Sequence, residues 1–172
     1  MEGDAMTDAV LRPVRPVPAA APPATFLTDA AIGLPEVLDD LAAGHPLIVA
    51  GDDPVAMSLG EIALPGARLI WANLRRSSEL YRLRHEVEAI ALPGRLVLAQ
   101  SEGTTAAGLT LLQLALAFLP ALRARPPGSI LFSLPEGEGR QAIAAFIAEI
   151  GPALQADGVT AALTAAPPRV RV

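Results

Sequence analysis

The chain has 172 residues, a formal net charge of −5 and no cysteine. That length fits one domain with a sizeable core, and the negative balance argues against a broad basic face for nucleic acid. Without cysteine, disulfides, thiolate metal sites and thiol nucleophiles are excluded.

Residues 1–24 place Pro13, Pro16, Pro18, Pro22 and Pro23 among small residues and two arginines. Prolines at that density remove amide donors and fix φ, so a disordered, polyproline-like tail is expected, with the folded domain over 25–172. A strand follows at Thr25–Thr28, then a turn at Asp29–Gly33 and a helix at Leu34–Ala43. Pro35 lies in the first turn of that helix, where its missing amide is harmless, and Gly44 stops it. The second strand is Pro46–Ala50. A short helix, Pro54–Leu64, ends at Pro65 and Gly66, and the third strand is Ala67–Ala72. Ser77 or Ser78 caps the next helix, which runs to about Leu92 and is closed by Pro93 and Gly94.

The fourth strand is Arg95–Ala99, and the loop QSEGTT leads into a helix over Ala106–Arg125. The fifth strand is Ser129–Phe132. A helix over Glu138–Ala156 carries Gly151 and Pro152, which predict a bend near its end. The last strand is Val159–Thr164. Strands alternating with helices in this way predict a doubly wound, Rossmann-like parallel sheet of six strands, order 3-2-1-4-5-6, with helices on both faces. The stretch 106–122 is interrupted by Thr110, Gln113 and Pro120, so no run reaches the roughly 18 apolar residues of a membrane span. The start lacks the charged and apolar regions of a secretory signal. A cytoplasmic protein without membrane attachment is expected.

Several phrases resemble one family in order and spacing. The turn TDAAIGLP resembles the T-G-x-x-x-G-x-G turn of short-chain dehydrogenases/reductases, with Thr28, Asp29, Gly33 and Pro35 in the Thr and three Gly positions. GARLIWANLRRSSELYRLRHEVEAI, LPALRARPPGSILFS and AAFIAEIGPALQADGVTAALTAAPP are similar to later segments of the same family. The resemblance covers roughly Thr25 to Pro168 and stops where the family continues to a seventh strand and a substrate-covering segment.

What the resemblance implies for chemistry is mostly loss. The family's tyrosine and lysine positions fall on Glu136 and Arg140. The chain has no lysine, and its one tyrosine is Tyr81. A phenol near pKa 10 needs a neighbouring cation to work at neutral pH, and neither substitute reproduces that pair. The helix asparagine of the family's tetrad aligns with Ala107. Ser133 lies only three residues before Glu136, so the intervening substrate loop is shortened. The cofactor positions that remain are Thr28, Gly33, Asp52 after the second strand and Asn73 after the third. Asp52 matches the acid that engages ribose hydroxyls in NAD-selective members, and Asn73 matches an adenine contact. Asp29 puts a carboxylate where a glycine would approach pyrophosphate.

His45 and His85 are not at ligand spacing, no G-x-S-x-G occurs around a serine, and a P-loop is impossible without lysine. Arg75, Arg76, Arg82 and Arg84 are offset by Glu79, Glu86 and Glu88 and read as a solvated face. Helices 106–125 and 138–156 carry more apolar surface than one face needs, at Leu109, Leu112, Leu116, Ile143, Ile147 and Ile150. By resemblance, these helices pair across a two-fold axis. The expectation is a pseudoenzyme that associates through them, as a homodimer or with a full-length member of the family. No cofactor is expected, or NAD or NADP if the site is retained. An atypical NAD(P)-dependent oxidoreductase, or cofactor binding without turnover, is the alternative.

Overall fold

The computed structural model describes residues 22–166. The tail expected over 1–24 falls almost wholly outside the described residues, but Ala24 belongs to the first strand. The elements are β1 (Ala24–Thr28), α1 (Pro35–Ala42), β2 (Leu47–Gly51), α2 (Pro54–Ala63), β3 (Arg68–Trp71) and α3 (Ser77–Ile90). They continue with β4 (Pro93–Ala99), α4 (Thr105–Ala124), β5 (Gly128–Ser133), α5 (Glu138–Ala156) and β6 (Val159–Thr164). All six strands are parallel, in the order β3-β2-β1-β4-β5-β6. The predicted fold class and strand order hold.

Local chemistry sets the boundaries. Asp53 caps α2, its carboxylate accepting from the amides of Val55 at 2.9 Å and Ala56 at 3.3 Å; such a cap contributes about 1 kcal/mol. Thr104 does the same for α4 through the Ala107 amide at 3.1 Å. Gly44, at φ 80°, ends α1 in the left-handed conformation that favours glycine. Two expectations are corrected. Ser77 is the first residue inside α3 rather than its cap. Pro93 and Gly94 open β4 instead of closing α3: Pro93 pairs with Ala24, and a strand's first position tolerates proline. Gly94 leaves room for Pro23, which would lie 2.5 Å from a Cβ placed there.

Side chains alternate across the sheet and feed two cores. On one face, Phe26, Leu96, Leu98, Ile130 and Phe132 pack under α3, α4 and α5, with Phe26 and Phe118 rings 4.6 Å apart between centroids. On the other, Leu27, Val49 and Val97 pack under α1 and α2 through Val37 and Met57. This second layer stops at β4. Beyond it, on the same face, Ser129 and Leu131 are half-buried and Thr160 and Ala162 exposed. In β6 the alternation in VTAALT anticipates this, with Val159, Ala161 and Leu163 turned to the covered face and Thr160 and Ala162 to the bare one, while Leu131 of β5 packs against the margin of the second core.

α4 is the one helix among the described residues with the length and hydropathy of a membrane span. It buries Leu111, Leu114, Phe118 and Leu122 against the sheet. Where α4 meets α5, glycine lies on glycine: a Cβ at Gly108 would sit 2.7 Å from the Gly139 carbonyl oxygen, and one at Gly139 would collide with the Thr104 carbonyl. The obstruction is backbone, which cannot rotate away. Gly139→Ala is therefore expected to cost about 1–3 kcal/mol in urea-unfolding free energy, as overpacking does. Gly33, whose Cβ direction is open, is the control: Gly33→Ala should be neutral or stabilising by about 0.4–1 kcal/mol.

Candidate functional site

In an open α/β sheet, ligands bind beyond the carboxyl ends of the strands, where the chain order reverses. Here that place lies between β1 and β4. Thr28 closes it from below: its hydroxyl donates to the Ala99 carbonyl at 2.9 Å and accepts from the Ala99 amide at 2.8 Å. The side chain is fully buried and spent on joining the two strands.

Asp29 follows in a 3₁₀ turn, Asp29–Ala31. Its carboxylate swings over the end of β2 and accepts from the Asp53 amide at 3.1 Å. It lies flat against Gly51, where any Cβ would strike it. Burial pushes the Asp29 carboxyl above its ordinary value. The amides of Asp53 and Ala30 oppose the rise, and the charges of Asp53 and Asp52 add to it. Gly33 has no close neighbour along its Cβ direction. Glu36 stands in the first turn of α1, one carboxylate oxygen buried and without a partner among the described residues. Two acids thus flank the helix N-terminus where anions ordinarily bind.

Asp52 is exposed at the end of β2. Asn73, after β3, is committed to a local turn, its Oδ1 accepting from the Arg75 amide at 3.0 Å while its own amide donates to Glu79 at 2.7 Å. Thr28, Asp52 and Asn73 thus lie at or just beyond the carboxyl ends of the neighbouring strands β1, β2 and β3, while Gly33 precedes α1.

On the other side of the switch point, the β5–α5 loop lies directly on the β4–α4 loop. A Cβ at Gly103 would lie 2.5 Å from the Pro135 carbonyl oxygen, and one at Gly137 would collide with the Gly103 carbonyl. The Gly139 amide donates to that same Gly103 carbonyl at 2.9 Å, and the Thr105 hydroxyl donates to Glu138 at 2.9 Å. Gly137 has φ 150°, a conformation that side chains rarely adopt. Reading the sequence did not single out these glycines; the available signal was the G-x-G of LPEGEGR at the start of α5.

The four tetrad positions are structural in their contacts. The Ser133 hydroxyl, fully buried, donates to the Ala165 carbonyl at 2.6 Å. One Arg140 nitrogen donates to the carbonyls of Leu134 and Thr164, both at 2.8 Å, tying the end of β6 to the start of the β5–α5 loop. Glu136 reaches Arg140 at 3.4 Å but is 90% exposed, so the pair adds at most a few tenths of a kcal/mol. Ala107 is buried beside the Thr104 cap. Among the described residues no group of three or more histidines, aspartates or glutamates could hold a metal.

The apolar helices behave in part as expected. Leu109, Leu116 and Ile150 are exposed, at 54%, 56% and 40%, and Leu112 and Ile147 are half-buried. Ile143 is fully buried and belongs to the core, because it follows the close crossing at Gly139 by one helical turn.

No known family's sequence profile matches the chain, and no curated protein matches it. Solved structures do. A short-chain oxidoreductase from Pseudomonas aeruginosa PAO1 with an atypical catalytic center is 21% identical, with a TM-score of 0.64 over 80% of this chain. The chain spans 66% of that protein's length. A bulky-bulky ketone specific alcohol dehydrogenase from Comamonas testosteroni is 18% identical, with a TM-score of 0.64 over 84% of this chain and 73% of its own. A short-chain dehydrogenase from Sphingobium yanoikuyae in complex with NADPH is 20% identical, with a TM-score of 0.61 over 83% and 71%. At these identities the likeness is one of fold: this chain has the fold of the short-chain dehydrogenases/reductases, as its sequence resemblance implies.

Proposed function

We propose that the chain is a pseudoenzyme on a short-chain dehydrogenase/reductase scaffold, without oxidoreductase turnover, acting by association through α4 and α5. The observation that carries this reading is that the chain packs against itself on both sides of the switch point. Gly103, Gly137 and Gly139 bring two loops into backbone contact on one side, and the Asp29 carboxylate covers Gly51 on the other. The residues present do not fit a dinucleotide. Asp29 and Glu36 oppose a pyrophosphate electrostatically, and the β4–α4 and β5–α5 loops touch backbone to backbone beside that place. Ser133 and Arg140 are consumed by main-chain carbonyls. The exposed leucines of α4 are the counterpart, an apolar stripe suited to a two-fold or heteromeric contact.

A second reading, cofactor binding without turnover or an atypical NAD(P)-dependent oxidoreductase, has one observation in its favour. Asp52 stands exposed at the end of β2, where an acid can meet ribose hydroxyls. The Sphingobium protein is seen with NADPH, and the Pseudomonas protein carries an atypical catalytic center.

Calorimetric titration with NAD(H) and NADP(H) decides between them. No binding heat is expected; micromolar affinity would favour the second reading, and hydride transfer to a carbonyl would end the first. Association is tested by Leu116→Glu, which should weaken self-association or partner binding about tenfold or more, roughly 1.4 kcal/mol, in sedimentation equilibrium. Asp29 supplies a pH test. Because burial raises its folded-state value, ionisation opposes folding: the cost is full above the raised value and vanishes below the unfolded one. Asp29→Asn should therefore be more stable than the parent at pH 7, with the gap closing as pH falls through the acidic range, read by urea midpoints at each pH.

A further inference from the structure

We propose that the outer edge of β6 is a pairing edge for a second copy of this chain, joined antiparallel about a two-fold axis through Ala161. This goes beyond association through the α4–α5 face and centres on β6 rather than on Leu109 and Leu116.

Main-chain direction comes first. The Gly128 amide donates to the Gly158 carbonyl at 2.9 Å, while Gly128 is in register with Val159. Successive residues of a strand turn their main-chain groups to opposite sides. Gly158, Thr160 and Ala162 therefore face β5, and Val159, Ala161 and Leu163 face outward. Their outward amides and carbonyls have no partner among the described residues.

The other edge of the sheet is treated differently. β3 is only four residues long and carries Arg68. The Ala72 amide bonds to Gly51, so the Trp71 carbonyl points away from β2, and there the Arg82 guanidinium covers it at 3.3 Å. Short length and charge are the usual protections of an edge. β6 has six residues, VTAALT, with no charge and no proline.

The occupant follows from symmetry. In a two-fold interface every residue meets its own surroundings, so a charge on the axis would face itself. β6 brings none. The outward set also fixes one register: in antiparallel pairs, outward residues exchange both hydrogen bonds, so Ala161 lies opposite Ala161 and Val159 opposite Leu163. All three outward positions of each copy are then satisfied. A single strand ladder alone buries less than the roughly 800 Å² per partner of a stable interface. Beside it, Ile147, Gly151, Pro152 and Ala161 line a groove that offers further contact surface.

The chain lacks cysteine, which makes crosslinking clean. Opposed residues lie about 5.5 Å apart at Cα, within the range a disulfide spans. Ala161→Cys in the full chain should form a covalent dimer under mild oxidation. Ala162→Cys, displaced along the strand from its own copy, should not. Ala161→Pro removes an outward amide that the fold does not use, and should lower self-association about tenfold while leaving the thermal midpoint of the monomer within a few degrees. A monomer at tens of micromolar by light scattering overturns the proposal. So does equal crosslinking of the two cysteine variants. If Ala161→Cys gives no covalent dimer while Leu116→Glu abolishes association, the helix face is the interface and the strand edge is not. The reverse pattern supports the edge and counts against the helices.

Discussion

The contact on which this molecule depends is backbone against backbone: the loop before α5 lies on the loop before α4. Four positions without a Cβ, Gly103, Gly108, Gly137 and Gly139, permit it. Side chains at a crevice can rotate out of a ligand's path, but main chain in van der Waals contact cannot. The same approach sets the crossing of α4 and α5, places Ile143 in the core, and leaves Leu109 and Leu116 on the outside. Site and surface are thus consequences of one packing constraint.

Electrostatics acts in the same direction on the other half of the crevice. A helix N-terminus opposite a strand end is a ready anion site, because amides and the helix dipole point outward. Here Asp29 and Glu36 occupy that field. Asp29 takes the Asp53 amide for itself and is held above its usual value by burial. The site's positive potential is satisfied internally, which supports the proposed loss of a dinucleotide role. Arg140 follows the same logic: its planar guanidinium bridges two carbonyls at 2.8 Å, so it ties β6 to the β5–α5 loop.

The sheet is finished unevenly. Under α3, α4 and α5 it is covered from β3 to β6, whereas the layer of α1 and α2 ends at β4. Ser129, Thr160 and Ala162 on the bare side keep that exposure from costing much. The two edges differ as well, β3 being short and covered by Arg82 at Trp71, β6 longer and uncharged. The proposed association rests on these asymmetries, which leave β6 and the α4–α5 face as the candidate surfaces.

Much of the fold was legible in the sequence, since strand and helix alternation, Pro35, Gly44 and the apolar runs act within a few residues. α5 and β6 fall at their predicted limits, and the strand order follows from right-handed crossovers. The boundaries that moved, at Ser77 and Pro93, depend on partners far along the chain, as Pro93 does on Ala24. The candidate site was legible only as absent residues: no lysine, no tyrosine at Glu136, Asp29 in a glycine position. What the glycines and the buried carboxylate beside the crevice contact was decided by tertiary structure. A glycine's use depends on which backbone approaches it, and a carboxylate's charge on how deeply it is buried, and neither is a property of local sequence.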